Sequence, residues 1–372
     1  MTIGVIGTSR KKNERRLPIH PEHLTAMDEA VRRRLVFERG YGLPFDWADD
    51  RLAGVTGGVA DRAALLERCD VVVCPKPLPE DLEDLRPEGV LWGWVHCVQN
   101  PPIVRAAVER RQTLIAWEAM NLWDAQGRWQ SHVFFRNNEI AGYAAVVHAL
   151  GLLGADGHYG PAGKAVVIGC GSVSAGAVLA LRSLGVSDIT VLAPAAQERP
   201  LAAFAGVPCR RLEAAGDARL ASTGPDGPRP LIEDLASADI IVNAILQDTD
   251  RPLMYLRTGE EGRLKGGCLI VDVSCDAGMG FPFARPTTFD APMFRVGPAH
   301  YYAVDHTPSY LWRSASWEIS KALLPYLPAV LAGPESWQRN ETLRRAIEIS
   351  RGVILNEKIV RFQSRLIGAT KG

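Results

Sequence analysis

Residues Lys164–Gly176 read KAVVIGCGSVSAG: an apolar run, a Gly169-x-Gly171 turn, and small residues that start a helix. This segment constrains the fold more than any other. The first glycine permits a tight turn out of a strand, and the second lets the backbone approach a pyrophosphate closely. The helix N-terminus supplies unpaired N–H groups and the positive end of a dipole. Ser174 stands at the third fingerprint position, where Gly or Ala is usual, and is still small enough for close helix–strand packing. Gly169, Gly171, Ser172, Val173 and Ser174 are therefore the expected dinucleotide contacts. The next strand ends Val191-Leu192-Ala193-Pro194, without the carboxylate that takes the ribose hydroxyl of NAD. Arg199 follows, and Arg210 and Arg211 end a further strand. The expected cofactor is NADPH, with NADH as the alternative and Arg199 near the 2′-phosphate.

Around this segment, β-rich runs alternate with helical ones. Thr2–Ile6, Leu35–Glu38, Asp70–Val73, Val90–Val95 and Thr113–Ala116 read as strands, and Pro21–Arg34, Asp61–Arg68 and Pro102–Arg111 as helices. A second series comprises Lys164–Ile168, a helix from Val173 to Leu184, Asp188–Leu192, Asp239–Ala244 and Cys268–Val273. Strand–helix alternation implies parallel βαβ units. The expected fold is α/β: two Rossmann-like, doubly wound domains with a cleft between them. Ala214–Pro230, rich in Gly, Ala and Pro, reads as a surface loop. Ser314–Leu327 and Glu335–Leu366 read as helices.

The 372 residues carry 42 basic and 42 acidic side chains. Without a basic excess, a nucleic-acid or membrane-surface partner is not expected. Seven cysteines are scattered with no CxxC pair, which suits small core residues in a reducing compartment and no metal site. No apolar stretch reaches the roughly 20 residues of a membrane span, and no signal peptide is visible at the N-terminus. A cytoplasmic location is expected, and the apolar segment Ala322–Val330 suggests a homo-oligomer. Only 8 of the 42 basic residues are lysines, so each lysine is worth inspecting.

Several candidate residues fall at the C-terminal ends of strands, where ligands bind in parallel α/β folds. Arg16 lies in the basic loop after the first strand and can grip a carboxylate with two N–H groups. Lys76, between Pro75 and Pro77, follows Val71–Val73. His96 ends the strand Gly89–Val95, and imidazole suits proton transfer near neutral pH. Asp272 and Asp276 flank a strand end in the second domain, where one of them could cap the turn and Asp276 could face the cleft.

Read together, these segments resemble the alanine dehydrogenase/transhydrogenase family, nearest its opine-type carboxyethylornithine synthase branch. The matching pieces are Glu14–Pro18 with Pro21, the Lys76 loop, Gly93–His96, Ala141–Ala144 and the GCGSVSAG turn. Ile270–Gly278, Asp290–Pro292 and Tyr301–Arg313 complete them. The resemblance implies a substrate domain of residues 1–135 plus 305–372, with a dinucleotide-binding domain of 136–304 inserted. It implies that Arg16 and Lys76 bind a keto acid, that His96 is the acid/base, and that Asp276 sits beside the nicotinamide. The implied activity is an NAD(P)H-dependent oxidoreductase acting on CH–NH bonds, which condenses an amino-acid amine with a 2-keto acid such as pyruvate. Reductive amination with ammonia, as in alanine dehydrogenase, and saccharopine dehydrogenase-like chemistry are the alternatives. Trp92, Trp94, Trp117 and Glu118 are candidates for the amine pocket, with Glu118 binding a distal ammonium. His306 stands where the opine-type branch is expected to carry Asn.

Overall fold

In the computed structural model, which describes residues 1–161, 163–194, 204–215, 219–248 and 252–369, the first 135 residues build one sheet. Its strands are β1 (Ile3–Val5), β2 (Leu35–Glu38), β3 (Gly58–Ala60), β4 (Val71–Val73), β5 (Val90–Gly93) and β6 (Thr113–Ala116), all parallel. β1, β4, β5 and β6 are buried along their whole length, which is why they read as apolar runs instead of alternating ones. The order β3-β2-β1-β4-β5-β6 puts the reversal of winding between β1 and β4. The loops carrying Arg16 and Lys76 leave the sheet there, at the crevice where such folds bind ligands. An antiparallel pair, β7 (Asn121–Trp123) and β8 (Trp129–His132), follows. The helix expected over Pro21–Arg34 is instead a 3-10 turn, Pro21–Ala26, and a short helix, Glu29–Arg32. Asp28 breaks it: its backbone is extended and its carboxylate accepts the Ala30 N–H at 2.7 Å as an N-cap.

The second unit, residues 136–311, begins in the helix Phe135–Leu153. Its strands are β9 (Lys164–Ile168), β10 (Asp188–Pro194), β11 (Cys209–Ala215), β12 (Arg219–Gly224), β13 (Gly227–Pro230), β14 (Ile240–Asn243), β15 (Leu269–Asp272), β16 (Met293–Val296) and β17 (Ala299–Tyr302). The sheet order β13-β12-β11-β10-β9-β14-β15-β17-β16 reverses between β9 and β14, above the Gly169 turn. The expected surface loop Ala214–Pro230 is largely an antiparallel meander, β11-β12-β13. Arg210 closes it from inside. Its Nε donates to Ser222 Oγ at 3.0 Å, one Nη donates to the Ser222 and Gly227 carbonyls, and the other pairs with Asp226.

The chain then returns to the first unit, which comprises residues 1–135 and 312–372. Residues 305–311 belong to the second unit. The expected helix Glu335–Leu366 is interrupted by β18 (Ile347–Ser350) and β19 (Val353–Ile354), and β18 pairs antiparallel with β6. Ile347 and Ile349 alternate with Glu348 and Ser350, a period of two that suits a strand. Within the apolar segment Ala322–Val330, Leu323, Leu327 and Val330 are at most 1 % exposed and belong to the core, so they form no exposed apolar face. No helix among the described residues is long and apolar enough to cross a membrane.

Candidate active site

In the first unit the loop after β1 is held along its length. Glu38, at the end of β2, accepts the N–H groups of Gly7 and Thr8 at 2.7 and 2.8 Å and the Thr8 hydroxyl at 2.6 Å. Arg62 donates to Asp81 at 2.7 Å and to the Thr8 carbonyl at 2.5 Å. Further along, the Leu17 N–H donates to Ser316 Oγ and the Ile19 N–H to the Tyr41 hydroxyl, each at 2.8 Å.

Between these anchors, Arg16 is only 5 % exposed. Its Nε and one Nη donate to the Glu14 carboxylate at 2.9 and 2.5 Å, and its guanidinium lies over the Trp94 ring, 4.5 Å from the centroid. A charged, planar donor is thus fixed in one orientation.

Lys76 and His96 meet at the same sheet edge, with Lys76 Nζ 3.1 Å from His96 Nε2. Gly93 permits this approach, because a Cβ there would sit 1.9 Å from the Cys74 carbonyl oxygen. The Trp94 N–H also donates to the Pro75 carbonyl at 3.1 Å. His96 has φ +47° and ψ +45°, a left-handed conformation that a residue with a Cβ adopts at a cost. Its N–H donates to Glu118 Oε1 at 2.5 Å. The Glu118 carboxyl is thus turned beneath His96, and burial pushes its pKa up to about 8. Trp92 and Trp117 are fully buried and pack edge-on to each other, while Trp94 supports Arg16. These rings belong to the core and to the arginine platform, and a large apolar residue at a strand end is more often that than a pocket wall.

In the second unit, Gly169 has φ +112°, and a Cβ on it would meet Ser174 Oγ at 3.0 Å and Ile245 Cγ1 at 3.1 Å. Gly171 caps the helix Ser172–Ser183 with no side-chain hydrogen bond, and a Cβ there would meet nothing within 4 Å. A space is left above a helix N-terminus whose N–H groups point outward, so these residues fit a dinucleotide pyrophosphate. Ser174 is fully buried, as the third fingerprint position requires. Ser172 and Val173 open the helix beside it. The helix crosses Phe135–Leu153 closely: a Cβ on Gly176 would lie 1.8 Å from the Glu139 carbonyl oxygen, and one on Gly142 1.9 Å from that of Val173. Arg199 lies outside the described residues. Arg210 is committed to the meander.

The two aspartates separate clearly. Asp272 is fully buried and accepts from Asn243 Nδ2 at 2.9 Å, the Tyr301 hydroxyl at 2.7 Å and the Cys275 N–H at 3.0 Å. Burial raises its pKa to about 6. Asp276, one turn on, is half-buried, and its carbonyl accepts the Met279 N–H. His306 is 3 % exposed, lies 2.5 Å from Asp305 Oδ1 and meets the Phe289 ring edge-on. No group of three or more His, Cys, Asp or Glu among the described residues is arranged to hold a metal ion.

Two contributors stood outside the candidate residues read from the sequence. Glu14 orients Arg16, and Glu38 shapes the loop before it.

A fingerprint turn in one unit and a cation–imidazole cluster in the other define a dinucleotide-dependent oxidoreductase. The sequence matches the alanine dehydrogenase/PNT N-terminal domain over residues 5–131 and the C-terminal domain over residues 148–357, and the chain belongs to that family. It is 27 % identical to the N(5)-(carboxyethyl)ornithine synthase of Clostridium botulinum, covering 83 % of this chain and 89 % of that protein. Identity to the alanine dehydrogenase of Mycobacterium tuberculosis is 24 %, covering 96 % of each chain. Among solved structures, an L-alanine dehydrogenase superposes with TM-score 0.75 at 19 % identity, covering 98 % of this chain and all of that one. A Sinorhizobium meliloti transhydrogenase superposes at 0.68 and 20 % identity, covering 96 % of this chain and 99 % of that one. The protein is an oxidoreductase of the amino-acid dehydrogenase type, acting on CH–NH bonds with a nicotinamide dinucleotide.

Proposed function

We propose that this enzyme reductively condenses the amine of an amino acid with a 2-keto acid such as pyruvate, using NADPH. The observation that carries this reading is the cluster at the β1/β4 crevice, where Lys76 Nζ lies 3.1 Å from His96 Nε2 and Arg16 is held rigid by Glu14 and Trp94. The resemblance to carboxyethylornithine synthase supports the condensation, and Ala193-Pro194 at the end of β10 supports the cofactor choice.

In this reading Arg16 binds the keto-acid carboxylate, and the Lys76 ammonium donates to the ketone oxygen, drawing electron density from the carbon that the amine attacks. The oxygen takes a proton from the Lys76 ammonium, which solvent restores, while His96 takes a proton from the attacking nitrogen and returns it to the carbinolamine hydroxyl, which leaves as water. Asp276 stabilises the resulting iminium cation. Gly169, Gly171, Ser172, Val173 and Ser174 would hold the dinucleotide, which supplies the hydride that reduces the C=N carbon. What the chain itself contributes is orientation and electrostatics. The Glu118 carboxyl, which accepts the His96 backbone N–H, holds the His96 turn in this scheme instead of a distal ammonium.

The test is NADPH oxidation with pyruvate or glyoxylate and a panel of amino acids, with ammonia as the control. Turnover that requires an amino acid, basic ones first, supports condensation. Equal turnover with ammonia alone would overturn it in favour of alanine dehydrogenase-type chemistry.

A further inference from the structure

Near Glu118 lies a second buried acidic residue that the scheme above does not use. Glu348 sits in β18, next to β6, while Glu118 follows β6 in the turn Trp117–Ala119. The two carboxyls are accounted for in the same lopsided way. Glu118 Oε1 accepts the His96 N–H, and Glu348 Oε1 accepts Asn356 Nδ2 at 3.0 Å. The Oε2 atom of each is buried and receives no hydrogen bond.

A buried carboxylate oxygen without a donor is costly, and two neighbouring carboxylates cannot readily both ionise away from water. One proton removes both problems, since an O–H on one Oε2 supplies the donor that the other lacks. We propose that Glu118 and Glu348 form a buried carboxyl–carboxylate pair that shares one proton between their Oε2 atoms and positions His96. This rests on the reading of His96 as the acid/base.

The surrounding charges agree. Burial raises both acids, and the charge of the Glu348 carboxylate raises Glu118 further. Lys76 faces Glu118 and draws it down, the Cys97 thiol beside Glu348 draws that acid down, and His132 lies against the Glu118 backbone. Arg344, Arg345 and Lys358 line the cavity that Glu348 borders. With the proton between the Oε2 atoms, Glu118 Oε1 keeps its full acceptor strength for the N–H of a residue held at φ +47°. Loss of that proton at high pH would force the carboxyls apart and slacken the His96 turn. The apparent pKa would belong to the pair.

The experiment is infrared spectroscopy of the intact protein, with Glu118→Gln and Glu348→Gln as partners. The wild type at pH 7 should show a buried protonated carboxyl C=O band that shifts in D2O and fades as pH passes about 8. Each single variant should lack it, because an amide then donates to the remaining carboxylate. No such band in the wild type, or its survival in either variant, would overturn the pair. Either variant alone carries this test should the other misfold. For the positioning role, Glu348→Ala should lower kcat about tenfold, and Glu348→Gln should recover most of that loss and move the alkaline limb of the kcat profile. If the band behaves as expected and the limb does not move, the pair exists but does not position His96. A protein inactive with every amine would sink the condensation reading, yet the infrared result would still decide the pair.

Discussion

The same small change, glycine to alanine, should have opposite consequences at two places in the dinucleotide unit. At Gly176 the added Cβ would lie 1.8 Å from the Glu139 carbonyl oxygen, with Glu139 backbone atoms at 2.6 and 3.0 Å. Ordinary carbon–oxygen contact is roughly 3.3 Å, and no flexible side chain stands in the way to rotate aside, so the helix backbones must separate by more than 1 Å. Overpacking by one methyl commonly costs about 1–3 kcal/mol, and a clash with rigid backbone belongs at the top of that range. About 3 kcal/mol should lower the melting temperature of this unit by roughly 6–12 °C. At Gly171 a Cβ meets nothing within 4 Å, and the backbone (φ −89°, ψ −168°) is one that alanine adopts. Gly171→Ala should therefore leave the melting temperature unchanged, yet weaken NADPH binding at least about tenfold, some 1.4 kcal/mol, because the methyl occupies the space above the helix N-terminus. Differential scanning calorimetry and fluorescence titration of NADPH read the two quantities separately. If Gly176→Ala melts like the wild type, or Gly171→Ala binds NADPH like the wild type, the steric reasoning is refuted.

Three further outcomes are expected. His96→Ala should reduce kcat by about 10²–10⁴ while NADPH affinity stays near the wild-type value, read by steady-state kinetics and titration. Ala193→Asp, placing a carboxylate at the end of β10, should turn a preference for NADPH into one for NADH, read as the ratio of kcat/KM values, with a change of at least about tenfold. Asp272 holds its proton more tightly in the fold than in the unfolded chain, so its contribution to stability is full below pH 3.8 and is lost as pH rises through about 6. The difference is about 3 kcal/mol, and Asp272→Asn should flatten the denaturant midpoint between pH 4 and pH 6.5.

The legible parts of the sequence were those governed by short-range sterics. The Gly169–Ser174 turn stands out because one backbone geometry demands those residues, and the buried strands at Leu35–Glu38, Thr113–Ala116 and Lys164–Ile168 stand out as apolar runs between helices. The β11–β13 meander escaped because Gly, Ala and Pro read locally as loop, while its order comes from Arg210 reaching Ser222 and Gly227. β18 escaped because its four residues sit between helical stretches and become a strand only by pairing with β6, far away in sequence. Lys76 and His96 were visible one at a time as residues at strand ends. Their contact depends on Gly93 letting two loops meet, and Glu348 had no local reason to be noticed at all.

The central claim is that two carbon skeletons are joined through nitrogen. Incubation with NADPH, pyruvate and an amino acid labelled with ¹⁵N, followed by mass spectrometry of the products, tests it directly. The account predicts a secondary amine that carries both skeletons and keeps the label, formed only when the amino acid is present. Labelled ammonium yielding ¹⁵N-alanine, with no joined product from any amino acid, would contradict it.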